Sequence, residues 1–397
     1  MIRKALLLRI FDAACMQRWN DKIRPVEFTE LDKQAHKMIV AYFLGKFEEH
    51  RPEFNWIDII EGGFFEFLQR IVLTDLKPPI FYKIKEDRAK YRKLNEWVYN
   101  QLEPSIAPLG EGFCQRFRAY FAEEETSLKR RILNAAHICA TQWEFDILQR
   151  ANPLGYEIDE IRERLQQTHN RFRDLVGIEQ LAHHVHYRNF IDLCGQLRFQ
   201  SRWAHVHRIP RTSVLGHLLF VALLSYLFSL QIQACPQRCI NNYFTGLFHD
   251  LPEVLTRDII SPVKSSVEGL SDLIREYEKE MMEKEVYNLI PAEWHPAIRM
   301  YTEEEFTSVV TVDDKRLVLP SREINERFNE DRFDPRDGEI VRAADRLAAF
   351  IEAYVAVRNG SASPDLQEAR WAIRNEYTGP SPDIGGINIG EIYADFD

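Results

Sequence analysis

The string GLFHDLPEVLTRDIISPVK, Gly246 to Lys264, sets His249, Asp250, Glu253 and Asp258 in otherwise apolar text. A buried imidazole or carboxylate costs on the order of several kcal/mol unless something pairs with it. The pattern therefore implies a ligand, and a metal ion suits these residue types. Partners come from elsewhere in the chain, His217 in LGHLLFVA and Asp345 in VRAADRLA. Two imidazoles and two carboxylates from three separate helices, converging on one point, make a divalent-metal site of mixed nitrogen and oxygen character. Nitrogen donors favour Mn, Fe, Co, Ni or Zn over Ca and Mg, and residue type does not choose among the five. Four protein ligands leave positions of an octahedral shell open to water, which then loses a proton more easily and can attack an electrophile.

These residues need helices to carry them, and apolar residues recur at helical spacing along nearly the whole chain, as in AHKMIVAYFLGKF, LKRRILNAAHICATQWEFDIL and EIVRAADRLAAFIEAYVAVR. The expected fold is all-α. The exception is TSVVTVDDKRLVLP, where β-branched residues flank Asp313-Asp314-Lys315 and predict a short hairpin. The charged residues after it, SREINERFNEDRFDPRDGE, read as an exposed part of an insertion over 302–338. The run LLFVALLSYLFSLQI is shorter than the roughly 20 residues a bilayer needs and predicts a buried helix. The N-terminal MIRKALLLRIFDAAC reads as an amphipathic helix rather than a leader. The tail from Gly379, rich in glycine and proline, is expected to be irregular, and its acidic end argues against nucleic-acid contact. Glu253 stands one helical turn after His249, but Pro252 disfavours helix at Leu251, so Glu253 is expected to reach the site from a turn.

The chain repeats itself. A shift of 183 residues lays GGFFEFLQRIVLTDLKPP on TGLFHDLPEVLTRDIISP, so that Gly63 meets Gly246, Asp75 meets Asp258 and Pro79 meets Pro262. Arg18-Trp19 matches Arg202-Trp203, QAHKMIVA around His36 matches LGHLLFVA around His217, and LNAAHICA sets His137 against Asp345. Two similar helical domains are inferred: 1–152, a connection over 153–187, and 188–378, followed by a tail at 379–397. Where the second half has His249-Asp250, the first has Glu66-Phe67, and phenylalanine cannot ligate a cation. His36, Glu66 and His137 could make at most a weak three-ligand site, so the first half is read as a relic.

The net charge of −10 disfavours a long nucleic-acid backbone as partner, while a small anionic substrate held by a few placed cations stays open. Six scattered cysteines read as reduced thiols in a cytoplasmic protein with no membrane association. The histidines of AHHVHYRN, His183, His184 and His186, lack acidic neighbours in sequence and read as polar surface. His205 and His207 receive no role.

The ordered set His217, His249-Asp250 and Asp345 resembles the HD-domain metal-dependent phosphohydrolases. Arg202-Trp203, Gly216-His217, the string HDLPEVLTRDIISPVK and AAD at Asp345 look like the YfbR-type 5′-deoxynucleotidases within them. The resemblance covers roughly 197–360. It implies tandem HD-like helical bundles, with His217, His249, Asp250 and Asp345 holding one divalent metal. It implies further that Glu253 orients or deprotonates the attacking water or protonates the leaving oxygen, that Asp258 lies near the sugar, that Arg202 holds the phosphate, and that Trp203 walls the sugar. Lys264 is added here as a further charge near the phosphate. Beside these roles, Asp258 could cap a helix, and Arg202 and Trp203 could be scaffold, because Asp75, Arg18 and Trp19 persist in the first half. Gly216 departs from the subgroup, which usually carries glutamate there. The implied reaction is hydrolysis of a deoxyribonucleoside 5′-monophosphate. Hydrolysis of a triphosphate or another phosphoester, and nucleotide or partner binding without turnover, remain as alternatives. The subgroup's dimeric habit implies an internal pseudo-dimer of the two repeats, with a homodimer also open.

Overall fold

The computed structural model describes residues 2–74, 76–123, 125–259, 267–377 and 383–397. It is an all-α protein with two small antiparallel hairpins. The first half comprises α1 (Lys4–Phe11), α2 (Glu30–Glu48), α3 (Trp56–Leu73), α4 (Pro78–Glu86), α5 (Arg88–Ile106), α6 (Glu111–Ala122) and α7 (Leu128–Ala151). The connection forms α8 (Ile158–His169), α9 (Val176–His183) and α10 (Val185–Gln196). The second half is built on α11 (Val214–Gln231), α12 (Pro236–Phe248), the short α13 (Glu253–Thr256), α14 (Leu270–Met281), α15 (His295–Thr302), α16 (Ser321–Arg327), α17 (Gly338–Arg358), α18 (Pro364–Asn375) and α19 (Ile389–Ala394).

Helix starts follow local chemistry. Thr29 accepts from the Asp32 N–H at the head of α2, Ser213 from the Gly216 N–H at the head of α11, and Asp337 from the Ile340 N–H at the head of α17. Pro236 opens α12, where its missing N–H costs nothing. α11 is long and apolar enough to cross a membrane, yet its side chains are buried against α2, α12 and α17, as its place in the core requires. One apolar core runs from Ile2 to Phe396 through both halves. The halves touch through polar bonds as well: Ser213 Oγ donates to Asp32 Oδ1 at 2.5 Å, and Tyr226 donates to Glu61 at 2.9 Å.

The hairpin predicted in the insertion is β1 (Val309–Val312) with β2 (Lys315–Val318), turning on Asp313 and Asp314 at positive φ. The rest of the insertion is not simply exposed. Ser321, Arg336 and Asp337 are buried, because Asp337 gathers Arg238 at 2.5 Å, Ser321 at 2.7 Å and Ser308 at 3.1 Å while capping α17. The tail, expected to be irregular, forms a second hairpin, β3 (Asp383–Ile384) with β4 (Ile387–Asn388), and then α19. Ile387, Ile389, Ile392, Tyr393 and Phe396 are all buried, and the rings of Tyr393 and Phe396 pack on Phe350. Apolar side chains at this spacing stabilise a short helix that glycine and proline content alone argues against.

Candidate metal centre

Three helices and one turn meet at the site. His217 lies one turn into α11, directly after its Ser213 cap, and is 1% exposed. His249 and Asp250 follow the C-terminus of α12. Asp345 projects from α17. The convergence depends on Gly246, because a Cβ there would stand 2.7 Å from the Ala222 backbone, so only glycine lets α12 approach α11 this closely.

One ligand atom from each of His217, His249 and Asp345 lies within 4.8 Å of the others. His217 Nε2 is 2.9 Å from Asp345 Oδ1, and Asp250 Oδ2 stands 3.2 Å from His249 Nε2 and 3.9 Å from His217 Nε2. Burial disfavours charge on His249, but the carboxylates of Asp250 and Asp345 outweigh it and raise the imidazole to about 9. Burial likewise opposes charge on Asp250 and Asp345, which the two imidazoles nevertheless hold below the usual carboxylate range.

The donor set fits a divalent ion. His249 Nδ1–H donates to the Gly246 carbonyl at 2.9 Å, which leaves Nε2 buried, without a well-directed hydrogen bond, and turned toward the two carboxylates. Once the Nε2 proton is displaced, that arrangement presents a lone pair, the form in which histidine binds metal. The C-terminal end of α12 adds negative potential at the same place.

A cleft of about 190 Å³ opens over His249, Asp250 and Glu253, walled by Arg275 and Lys279 of α14 and by Glu304 and Glu305 of the insertion. Glu253 is buried in its floor and, rather than sitting in a turn, is the first residue of the short helix α13, after the turn that contains Pro252. Asp258 is half-buried; desolvation raises its carboxyl, Arg202 draws it down and Asp250 pushes it up, which puts it in the field of the site. Lys264, and the helix that Asp258 was read to cap, lie outside the described residues.

Arg202 and Trp203 are tied to a residue that motif reading overlooked. Glu352, 1% exposed on α17, accepts from Arg202 Nε at 3.1 Å, Trp203 Nε1 at 2.8 Å and Thr212 Oγ1 at 2.7 Å. Burial opposes its charge, but Arg202 foremost, then Arg208, outweigh it and hold its carboxyl down at about 2. Arg202 Nη1 remains directed at Asp250, 3.7 Å away, so one edge of the guanidinium faces the centre. The Trp203 ring packs instead against Ala353, Ala356 and Leu366. The signal for Glu352 was present in the repeat, since the match that sets His137 against Asp345 also sets Glu144 against Glu352.

The first half has the same clamp. Arg18 Nε and Trp19 Nε1 donate to buried Glu144 at 2.8 and 2.9 Å, and Trp19 and Trp203 share a positive φ of 55 and 57°. Each Arg-Trp turn is closed by an isolated bridge, Gln17 with Thr29 and Ser201 with Ser213. Those bridges fix the register, and they correct the match of His36 with His217: one turn past the cap, the residue opposite His217 is Lys33. Around the helix His36 faces another way, where it donates to the Ile191 carbonyl at 3.0 Å and meets Trp143 edge-on. The three-ligand relic of His36, Glu66 and His137 therefore does not form. Gly216 is likewise explained, since a Cβ there would stand 2.8 Å from Asp32 Oδ1, the group that braces the Ser213 cap. His183, His184 and His186 lie at the surface, and His205 and His207 are exposed.

A search of curated proteins finds no match to the chain. A family model described as HD domain matches residues 194–374, the segment that carries all four residues of the centre. HD domains bind divalent metals and are usually phosphohydrolases, in keeping with the His/Asp cluster built here. Residues 194–374 of this chain, a little under half of its length, are similar to the HD domain.

Proposed function

We propose that the C-terminal half hydrolyses nucleotides, with deoxyribonucleoside 5′-monophosphates as the preferred class, and that it resembles the YfbR-type 5′-deoxynucleotidases. The observation that carries this reading is the convergence of His217, His249 and Asp345 within 4.8 Å, with Asp250 beside them, inside an HD domain. His217, His249, Asp250 and Asp345 would hold one divalent transition metal, Co, Mn, Ni, Fe or Zn. When bound, such an ion neutralises phosphoryl oxygens and acidifies water. The chain's own residues do the rest. Arg202, pinned at Nε by Glu352, offers its remaining N–H groups to a phosphate oxygen. Glu253 takes a proton from the attacking water, and Asp258 accepts from a sugar hydroxyl. The O–P bond to water forms as the bond to the nucleoside 5′-oxygen breaks, and the proton taken by Glu253 passes to that oxygen.

The first half is proposed as a degenerate copy that serves as a built-in partner within a cytoplasmic enzyme. The contacts of Ser213 with Asp32 and of Tyr226 with Glu61 support that role, since they brace the helix that carries His217.

The test is a panel of nucleoside mono- and triphosphates with Mn, Co and Ni, using wild type and Asp250→Ala. Inorganic phosphate from deoxyribonucleoside monophosphates, lost in the variant, is expected. Release of tripolyphosphate would replace the monophosphate reading with a triphosphohydrolase. Retention of both metal and turnover in Asp250→Ala would remove the site assignment.

A further inference from the structure

The corrected register places Lys33 of α2 where α11 has His217, and Glu66, Phe67 and His137 where the second half has His249, Asp250 and Asp345. Lys33 is 0% exposed, and its Nζ lies 2.5 Å from His137 Nδ1. It joins α2 to α7 as His217 and Asp345, 2.9 Å apart, join α11 to α17. Asp250 has no acidic equivalent, because Phe67 fills that position at 1% exposure. Glu66, the one carboxylate left, is already occupied by Lys37 at 2.5 Å, Tyr120 at 2.7 Å and Arg130 at 3.3 Å. A divalent cation entering here would meet ammonium and guanidinium groups and, among the described residues that correspond to the second half's ligands, find no carboxylate free to receive it.

An anion fares no better. Arg18 spends Nε on Glu144 and Nη1 on Glu30, whereas Arg202 keeps an edge toward its centre. Burial, followed by the charge of Arg18, lowers the Lys33 amine well below its usual range, toward a neutral donor that needs no counter-carboxylate.

We infer that the place of the metal in the first half is taken by the chain's own Lys33 amine, bonded to His137, so that this half takes up no ion and the protein binds metal in one half only. The inference rests on reading His217, His249, Asp250 and Asp345 as the ligands of the second half.

The experiment loads the full chain with Mn²⁺ or Co²⁺, removes free ion, and counts bound metal per chain by elemental analysis. About one ion is expected in wild type, unchanged in Glu66→Gln, and about two in Lys33→His/Phe67→Asp with helix content preserved by circular dichroism. Two ions in wild type, or loss of an ion on Glu66→Gln, would overturn the inference. So would a folded double variant that gains none. Glu66→Gln and wild type decide the matter by themselves if the double variant does not fold. A wild-type count of zero, with a gain of one in the double variant, would leave Lys33 in its assigned place and sink the C-terminal assignment instead.

Discussion

Lys33 with His137 and His217 with Asp345 are two versions of one cross-helix bridge, each sitting beside an Arg-Trp pair clamped by a buried glutamate. Among the described residues of the first half, Lys33, His137, Lys37, Glu66, Arg130 and Arg18 each have a partner from the chain, so the cluster is closed. In the second half the residues supply two imidazoles and two carboxylates facing one another, with one edge of Arg202 still directed inward. The clamp is what both halves need to hold the Arg-Trp turn against the last long helix. On the proposed reading, the metal chemistry falls at positions where the halves differ: His217, His249, Asp250, Glu253 and Asp345 against Lys33, Glu66, Phe67, Arg70 and His137.

The widest separation between the halves should come from Asp345→Ala against His137→Ala. The first is expected to remove about 4 kcal/mol of transition-state stabilisation, about a thousandfold in phosphate release, and the second to leave turnover within about twofold. Equal losses would mean that the first half takes part in the reaction.

Breaking the clamp should act on both halves alike in stability but not in catalysis. Glu144→Gln and Glu352→Gln each leave a buried arginine short of its counter-charge and should cost about 3 kcal/mol in urea unfolding. Only Glu352→Gln should also raise KM, because it releases Arg202.

A smaller effect is expected from replacing the guanidinium. Arg202→Lys loses the fork that meets a phosphate and should weaken substrate binding about tenfold, or about 1.4 kcal/mol, while Arg18→Lys leaves KM unchanged. A matching rise in KM from Arg18→Lys would show that the first half also meets substrate.

The finest distinction is in pH. Burial, then the charge of Arg198, depresses His36 from 6.5 to about 3, and burial with Lys33 depresses His137. A depressed histidine contributes stability that is present above pH 6.5 and is lost as pH falls toward its folded value, at about 1.4 kcal/mol per pH unit for each. The glutamates Glu66 and Glu352, both held at about 2 rather than 4.5, contribute stability that is lost only as pH falls from 4.5 through about 2. Hydrogen exchange between pH 6.5 and 4.5 should therefore show protection falling in α2 and α7 before α11. Simultaneous loss would mean that the two halves open as one unit.

Helical periodicity was enough to read the all-α class and the buried α11, and β-branched residues flanking Asp313-Asp314 were enough to read the hairpin, because each depends on neighbours within a few residues. The ordered motif was enough to pick out His217, His249, Asp250 and Asp345, which the fold brings together. The true counterpart of His217 was not legible. The His, Val and Ala shared by QAHKMIVA and LGHLLFVA mask the register, and a shift of three residues, almost one helical turn, keeps the apolar pattern while turning the polar side chain to a different neighbour. Glu352 was written in the repeat but carried no motif, so only its three donors reveal its role. The tail escaped because its helix is stabilised by packing on Phe350 rather than by its own propensity.

Residue type and spacing alone thus picked out the histidines and carboxylates that this helical chain brings together. Tertiary structure decided which half is open. Whether a buried cation or a buried carboxylate faces the bridge depends on side chains that meet across helices far apart in sequence, and charge compensation among them cannot be read along one strand of text.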